Sequence, residues 1–453
     1  MNRNIRIGYW DRTCKTALYY PHDSHLILTA PAGAGKGRDI LVPSLLEYDG
    51  SVVVIDPKGQ LAAVCGPYLA RKKHRVFALN PFRILPKNLA PLAAAGFNPL
   101  TVLDPTSLSF GADCDSLAEA IVYTEGVGDN AAYFSDSARQ LVSGLIMVLA
   151  AYAPPDKKNL VNLYEIISGT TRFYSFVRRA LKIGGALGIL ISGRLGRFNV
   201  ARAEENNKEL TGIINSARTQ IGFMGNEAIA SSLLAPGPVL RFSDLRQKPA
   251  VVFLILPTRY LATSAKWFRL VIAAAMADLL REEGGPVPVL AMLDEFAQLG
   301  TLKVMSDIMG IGRGYKLQLW PVLQDLNQLE ELYPKRWQTF LSNAGAQLFF
   351  APRDLKTAEY VSKKCGDRQV NTKTRSVSES AWGPRESVDN IGVSTGYGAD
   401  AVPYLKPHQV AEIGGDEMLV FGENIAGVIR AGRKPYWKMA ECRGKYSPDP
   451  YHS

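Results

Sequence analysis

The chain has 453 residues, 47% of them hydrophobic, which is enough apolar material for a large buried core and excludes a disordered tail. Lys and Arg number 52 against 42 Asp and Glu. The resulting formal net charge of +10 is compatible with a polyanionic partner such as nucleic acid or an anionic membrane surface, although scattered surface charge would give the same total. The five cysteines are widely spaced and never form a C-x-x-C pair, so the sequence indicates neither a disulfide framework nor a zinc site.

No segment of the sequence has the features of a signal peptide or a transmembrane helix. The first twenty residues, MNRNIRIGYWDRTCKTALYY, contain no apolar h-region. The longest apolar stretches, at 141–151 and 270–280, are too short to span a bilayer and are typical of core helices. We therefore expect a cytoplasmic chain without a transmembrane segment of its own.

Short β-branched runs alternate with helix-length amphipathic stretches in the first hundred residues and again after about residue 248, which predicts a parallel sheet with crossover helices. The predicted strands cover residues 26–29, 52–55, 75–79, 251–256, 289–293, 317–322 and 347–350. Between them the pattern is helical, for example at 137–151 and 160–167. The prediction is an α/β domain in two parts, residues 1–103 and 246–453, with an all-α domain at 104–245 inserted between them.

A glycine-rich loop follows the first predicted strand, in the segment LILTAPAGAGKGRDILVPSLL. A strand, a loop at 30–37 and an amphipathic helix come in the order that a phosphate-binding loop requires. The glycines let backbone amides face the phosphates, the helix amino terminus adds its dipole, and Lys36 supplies a cation for the β and γ phosphates. The predicted nucleotide-binding residues are Ala32, Gly33, Ala34, Gly35, Lys36, Gly37 and Arg38.

The loop departs from the usual pattern at two positions. Ala30 stands where the first glycine belongs, and Gly37 stands where a Ser or Thr hydroxyl normally ligates magnesium. A glycine-rich turn that binds no nucleotide is the alternative interpretation, but the flanking strand and helix favour the nucleotide.

Two further segments end predicted strands. VVVIDPKG, residues 52–59, closes on a proline and a glycine typical of a turn, and its chemistry does not follow from the residues alone. PVPVLAMLDEFAQLG, residues 286–300, delivers Asp294 and Glu295 to the carboxyl end of a strand, where open α/β sheets bind ligands. Asp294 would hold Mg²⁺, and Glu295 would orient or deprotonate the attacking water. The pair could instead cap the following helix, but the loop upstream favours catalysis.

Toward the carboxyl end, residues 371–400 are rich in Ser, Gly, Asn and Thr with little apolar periodicity, which predicts a mobile loop or a hairpin arm. Residues 417–421 and 426–430 then predict a closing hairpin.

Four segments carry a family resemblance: the loop at 30–37, the DPKG segment, the Asp294–Glu295 motif and LQLWPVLQDLNQL at 317–329. Through them the sequence resembles the coupling proteins of type IV secretion, the TraG/TraD-like conjugation ATPases. The resemblance covers about residues 20–440, with the motifs in order and at matching spacing, and lysine followed by glycine is common in that family's loop. It implies a RecA-like P-loop NTPase domain with an inserted helical domain, ATP and Mg²⁺ as cofactors, and a homohexameric ring when active. It also implies two catalytic residues beside Glu295: Arg313, acting at the subunit interface, and Gln324, sensing the γ-phosphate.

The partners that the resemblance implies are DNA, relaxase and relaxosome proteins, and the ATPases and inner-membrane components of the secretion channel. Most relatives begin with transmembrane helices ahead of the loop, whereas Lys36 comes early here. We therefore expect a chain that is peripheral at the bacterial inner membrane. Two other functions stay open at this point: an ATP-gated scaffold that recruits secreted proteins without moving DNA, and an FtsK-like double-strand DNA pump, which the DPKG and LQDLNQL segments disfavour.

Overall fold

In the computed structural model, one eleven-stranded sheet runs through the part of the chain that is described, residues 4–87, 89, 96–123, 129–199, 207–234, 240–380, 390–423 and 425–451. Its strands are β1 (Ile5–Tyr9), β2 (Ala17–Tyr20), β3 (His25–Thr29), β4 (Ser51–Ile55), β5 (Arg75–Leu79), β6 (Ala250–Leu254), β7 (Val289–Leu293), β8 (Leu317–Leu323) and β9 (Ala344–Phe349), with β12 (Glu417–Gly422) and β13 (Ile429–Gly432). Their order across the sheet is β2-β1-β13-β12-β9-β3-β8-β7-β4-β6-β5. All strands from β9 to β5 in that order are parallel, and the other four pair antiparallel.

The parallel strands inside the sheet are buried on both faces, as their apolar runs require, whereas the edge strand β5 is partly exposed. Along β4, Val52 and Val54 point into one core, and Val53 and Ile55 point into the other. Each of the seven strands predicted from the sequence is present, with ends that differ by at most three residues. The mainly parallel α/β sheet expected from the sequence is confirmed.

Fifteen helices surround the sheet in the described residues, ten of them before β7. They are α1 (Val42–Glu47), α2 (Gln60–Arg71), α3 (Phe110–Ile121), α4 (Asp129–Tyr152), α5 (Leu160–Ser168), α6 (Thr170–Ala180), α7 (Gly185–Leu195), α8 (Lys208–Ile221), α9 (Glu227–Leu233), α10 (Leu261–Leu279), α11 (Lys303–Ile311), α12 (Leu326–Leu332), α13 (Trp337–Ser342), α14 (Leu355–Cys365) and α15 (Pro407–Ala411). No helix in the described ranges is long and apolar enough to cross a membrane.

The helices between β5 and β6 share a core with one face of the sheet. Leu145 of α4 and Ile213 of α8 belong to the same apolar cluster as Val53 of β4 and Leu254 of β6. No strand interrupts α3 to α9 in the ranges described there, 96–123, 129–199, 207–234 and 240–249. The helical segment is therefore packed directly onto the sheet through a continuous interior.

The segment rich in Ser, Gly, Asn and Thr adopts the hairpin alternative of the prediction. Strands β10 (Asp367–Ser380) and β11 (Asn390–Pro403) pair antiparallel in register over their whole length, from Asp367 opposite Pro403 to Ser380 opposite Asn390. They form a two-stranded sheet separate from the main one. Residues 381–389, also part of that predicted segment, lie outside the described residues.

The closing hairpin is present as β12 and β13, with the second strand shifted by about three residues from its predicted position. Gly427, with φ of 81°, occupies the connection, where a left-handed backbone favours glycine.

Two amino-terminal strands, β1 and β2, extend the sheet beyond β13 and were not predicted. Arg6 in β1 is buried, and its guanidinium lies 2.7 Å from Glu47 and 2.7 Å from Glu441. Arg6 interrupts the apolar pattern that would identify β1 as a buried strand. The sequence around it does not show that its charge is compensated, because Glu47 and Glu441 are remote in sequence.

Candidate active site

The glycine-rich loop connects the carboxyl end of β3 to a helical segment that starts at Gly37 and continues into α1. Gly33 and Gly35 have φ of 75° and 90°, in the left-handed region that favours glycine. A Cβ atom on Gly35 would lie 2.8 Å from Nη2 of Arg38, so any other residue there would also displace the Arg38 side chain. The Asp39 amide donates to the Gly35 carbonyl at 2.8 Å, so the helical hydrogen bonds begin at the carbonyl of Gly35.

Lys36 joins this loop to the carboxylates at the end of β7. Its Nζ lies 2.8 Å from Oδ1 of Asp294 and donates to Oε1 of Glu295 at 2.6 Å. The three side chains are 14%, 18% and 25% exposed, so the cluster is accessible at the carboxyl edge of the sheet. The structure therefore brings Lys36 together with the predicted magnesium ligand Asp294 and the predicted catalytic residue Glu295, although more than 250 residues separate the lysine from the two carboxylates in sequence.

The pKa values of the cluster reflect burial working against charge pairing. Burial disfavours the charged ammonium of Lys36, but the two carboxylates outweigh it and raise its pKa. Burial raises the pKa of Asp294 in spite of Lys36. Burial acts in the same direction on Glu295, but Lys36 and a hydrogen bond from Gln324 outweigh it, and the pKa of Glu295 is lowered. Glu295 is thus held ionised, as an acceptor for a proton must be.

Glu295 is positioned by its backbone and by one side chain. Its φ of 53° is left-handed, which costs a non-glycine residue about 1–2 kcal/mol, and its amide donates to Oδ1 of Asp294 at 3.0 Å. Gln324, which follows β8, donates from Nε2 to Oε2 of Glu295 at 3.1 Å. A strained backbone at the end of a strand and a side-chain clamp are typical of functional sites.

Arg313 does not join this cluster. It lies in the turn before the amino end of β8, whereas Gln324 follows the carboxyl end, and the seven residues of β8 separate the two by about 23 Å. The Arg313 side chain is exposed and makes no ion pair within the described residues. Its position thus excludes contact with the glycine-rich loop of its own chain.

The DPKG segment supports the site from the neighbouring strand. Asp56 is buried, and its Oδ2 accepts a hydrogen bond from the Ala62 amide at 2.8 Å in the first turn of α2. Burial raises the pKa of Asp56 to about 7, and the nearby carboxylate of Asp294 adds to the rise. Gly59, with φ of 68°, forms the turn that lets this aspartate cap the helix that follows it. The segment therefore has a local structural role, which sequence reasoning left open.

Arg433 is a site residue that sequence reasoning missed. It follows β13, and its Nη1 donates to the carbonyl of Ala34 at 2.7 Å and to Oδ2 of Asp39 at 2.6 Å, while its guanidinium lies 3.9 Å from the centre of the Phe350 ring. It holds the glycine-rich loop against the antiparallel end of the sheet. No motif marks it, because its partners lie up to 399 residues away in sequence.

A second buried arginine joins the helical segment to the turn after β7. Arg269 of α10 donates to the carbonyl of Ala120 in α3 at 2.9 Å and to that of Thr301 at 2.5 Å. It also donates to the carbonyl of Leu299, which ends the turn that starts at Glu295. α3 and the turn that starts at Glu295 are thus connected through one side chain.

The residues present fit a nucleotide with Mg²⁺. Lys36 and the glycine-rich loop, with Gly33 and Gly35 in left-handed conformations, would form a cradle for the phosphates. Asp294 would offer a carboxylate oxygen, which is a ligand that Mg²⁺ prefers. Among the described residues no group of three or more His, Cys, Asp and Glu side chains could hold a metal by itself. That is consistent with Mg²⁺, which is often bound by one or two carboxylates together with substrate phosphates.

The sequence matches the family model described as type IV secretory system conjugative DNA transfer over residues 3–449. The chain belongs to this family. It is 28% identical over 409 residues to VirD4 of Agrobacterium fabrum, covering 85% of this chain and 55% of VirD4. It is 24% identical over 442 residues to the conjugal transfer protein TraG of the same organism, covering 95% of this chain and 63% of TraG. The chain therefore spans little more than half the length of these relatives.

Solved structures from this family share the fold. The bacterial conjugative coupling protein TrwB, in an unbound form that lacks its first 70 residues, superimposes with a TM-score of 0.67 at 17% identity, covering 96% of this chain and 88% of that chain. TrwB has also been solved in complex with ADP and Mg²⁺, with a TM-score of 0.65 at 15% identity to this chain. At these identities the likeness establishes the RecA-like fold, as expected from the sequence resemblance.

Proposed function

We propose that this chain is an ATP-hydrolysing type IV coupling protein that recruits a relaxase–DNA substrate and moves DNA to a conjugation channel. The observation that carries the proposal is the convergence of Lys36, Asp294, Glu295 and Gln324 at one edge of the sheet, beside a glycine-rich loop. Membership of the conjugative DNA transfer family and the net charge of +10 support a DNA substrate.

In this proposal the triphosphate displaces the acidic pair from Lys36. The ammonium then neutralises the β and γ phosphates, while backbone amides of residues 32–38 cradle them. Asp294 would hold Mg²⁺, which when bound supplies charge neutralisation on the phosphate oxygens. Glu295, released from Lys36 but still held by Gln324, orients the attacking water and accepts its proton.

The remaining functions follow from parts of the chain outside this cluster. Arg313 is proposed to act on the nucleotide of a neighbouring subunit in a homohexamer, because it lies too far from its own loop. Residues 104–245 are proposed as a helical domain that receives the relaxase and relaxosome proteins. Placement at the inner membrane through channel components completes the proposal.

The test of this function is a steady-state ATPase assay with and without single- and double-stranded DNA, repeated across protein concentration. Turnover that rises with DNA and more than linearly with protein is expected of an assembling DNA motor. Turnover indifferent to both would favour the docking scaffold, and no turnover with bound ATP would contradict the enzyme.

The Glu295→Gln variant separates binding from hydrolysis. The amide keeps the size of the side chain but cannot accept a proton, so we expect kcat to fall by about 10²–10⁴-fold with nucleotide affinity retained. Gln298→Glu is the matched control for altered charge. It adds one negative charge in the turn that follows Glu295, whereas Glu295→Gln removes one. Loss of ADP binding in Glu295→Gln, measured by calorimetry, would argue for a structural role instead.

A further inference from the structure

The exposed indole of Trp437 lies next to the glycine-rich loop. It sits in a short helical turn, Tyr436–Lys438, that follows β13, and the residue is 45% exposed. The guanidinium of Arg38 lies over the Trp437 ring, 5.9 Å from its centroid. An aromatic ring that a bound ligand could reach therefore lies beside the glycine-rich loop.

Both partners of this contact are held in place by the site itself. Arg38 donates to the two carboxylate oxygens of Asp39 at 2.5 and 2.9 Å, and Asp39 is fixed in turn by Arg433. On the other side, Trp437 packs edge-on against the buried ring of Tyr436, with 5.0 Å between ring centroids. The surface is therefore preorganised and moves with the loop.

The order of the phosphates, ribose and base in a bound nucleotide determines which of these groups would lie against Arg38 and Trp437. The lysine of a phosphate-binding loop reaches the β and γ phosphates, and the amides around it cradle the α and β phosphates. The ribose and base therefore lie beyond the α phosphate, away from the γ-phosphate end that Glu295 serves. Arg38 contacts the loop at Gly35 and continues to Trp437, so it leads from the phosphate cradle to the indole.

We propose that Trp437, with Arg38 beside it, forms the nucleobase-binding surface of this site, on which a purine stacks. The inference rests on the proposed nucleotide binding and adds the residues that recognise the base. Stacking uses the π-face that every base has, and a cation over an aromatic ring strengthens such a contact. The surface thus selects for a nucleotide over inorganic polyphosphate, with little preference between adenine and guanine.

Calorimetric binding of ADP and of tripolyphosphate tests the proposal. Trp437→Ala should weaken ADP binding about 10-fold, as expected for loss of base stacking, and leave tripolyphosphate binding unchanged. Trp437→Phe should keep ADP affinity within about 3-fold of the parent, because an aromatic face remains. Tyr152→Ala removes an aromatic residue of similar exposure, 52%, at the end of α4, and serves as the matched control.

Equal losses for ADP and tripolyphosphate, or unchanged ADP affinity in Trp437→Ala, would overturn the base-stacking role while leaving nucleotide binding intact. A parent protein that binds neither ligand would overturn the proposed function instead. As a second measurement, photolabelling with 8-azido-ADP should modify the peptide that carries residues 436–438, in competition with ADP. Label confined to peptides remote from Trp437 would place the base elsewhere.

Discussion

Lys36 occupies the centre of the candidate site as part of an ion-paired cluster. Its ammonium does not face an empty cleft, because Asp294 and Glu295 contact it at 2.8 and 2.6 Å. The reason is electrostatic: two partly buried carboxylates at the end of β7 require a nearby cation. The lysine therefore has a structural role in addition to its proposed role on the phosphates.

Lys36→Ala should abolish nucleotide turnover and also destabilise the fold in a pH-dependent manner. Without the ammonium, the pKa values of Asp294 and Glu295 rise, so the penalty is greatest when both are ionised and lessens as pH falls and they take up protons. We expect the free energy of unfolding to fall by about 1–3 kcal/mol at pH 8 and by less at pH 5, measured by urea denaturation.

Lys303→Ala provides the control for this variant, since Lys303 pairs with Asp307 at 2.8 Å but is 68% exposed. An exposed pair contributes about 0–1 kcal/mol, so little change is expected at either pH. A loss for Lys36→Ala that does not vary with pH would show that the carboxylates do not depend on Lys36.

Asp56 gives a second pH-dependent prediction at the scale of one residue. Its pKa is raised from 3.8 to about 7, so the folded state holds a proton that the unfolded chain has released. Its contribution to stability is therefore fully present below about pH 4 and is lost as pH rises to about 7. Asp56→Asn removes this titration, so the stability of the variant relative to the parent should improve across that range by up to about 4 kcal/mol.

Denaturant unfolding of both proteins at intervals between pH 4 and pH 8 checks this prediction. The uncharged amide can still accept from the Ala62 amide, so the cap on α2 is retained. A difference between the proteins that is constant with pH would mean that Asp56 is ionised in the folded chain.

At the scale of elements, the parallel strands could be predicted because most of them are short apolar runs, rich in Val, Ile and Leu, that are buried on both faces. The motifs at the carboxyl ends of β3 and β7 could be expected to meet, since a parallel sheet brings those ends to one edge, whereas Gln324 after β8 was implied only by the family resemblance. Features that depend on ion pairs and hydrogen bonds between residues remote in sequence could not be predicted. β1 contains a charge that Glu47 and Glu441 neutralise, and Arg433 holds the loop from the far end of the chain.

Arg433→Ala tests how far the antiparallel end of the sheet positions the loop. It removes the contacts to the Ala34 carbonyl and to Asp39, leaving Asp39 buried with Arg38 as its remaining ion-pair partner among the described residues. We expect ADP affinity to fall about 10-fold, or about 1.4 kcal/mol, because a looser loop is less preorganised. Calorimetric titration with ADP measures this.

Arg430→Ala is the matched control, because Arg430 lies on β13, three residues before Arg433, and pairs with Glu417 but is 41% exposed. It should bind ADP like the parent protein. If both variants lose affinity equally, β13 supports the loop as a whole rather than through Arg433.

At the scale of the molecule, the proposed action of Arg313 on the nucleotide of a neighbouring subunit would leave a single chain without a complete site. An Arg313→Ala subunit should bind ATP normally, because its own loop is intact, yet fail to turn over alone. Mixing it with Lys36→Ala subunits should restore some activity, since an interface between the intact loop of one and the intact arginine of the other is complete. Recovery above both parents in a steady-state assay is the expected result.

Co-assembly in these mixtures must be established by crosslinking, and Arg179→Ala, which changes an exposed arginine on α6, controls for loss of surface charge. Mixtures that never exceed the parents in spite of co-assembly would place Arg313 in a structural role. So would loss of ATP binding in the isolated Arg313→Ala subunit.

The interior shared by the helical segment and the sheet sets the cooperativity of unfolding. Leu145 and Ile213 lie in one cluster with Val53 and Leu254, and Arg269 adds buried hydrogen bonds from α10 to α3 and to the turn after β7. Removing these helices would expose one whole face of the central strands to water, so the segment and the sheet should melt in a single heat-absorption peak. If these helices receive the cargo, as proposed, sequence divergence that alters cargo choice is confined to their outer surface, since their inner surface must continue to complement the sheet.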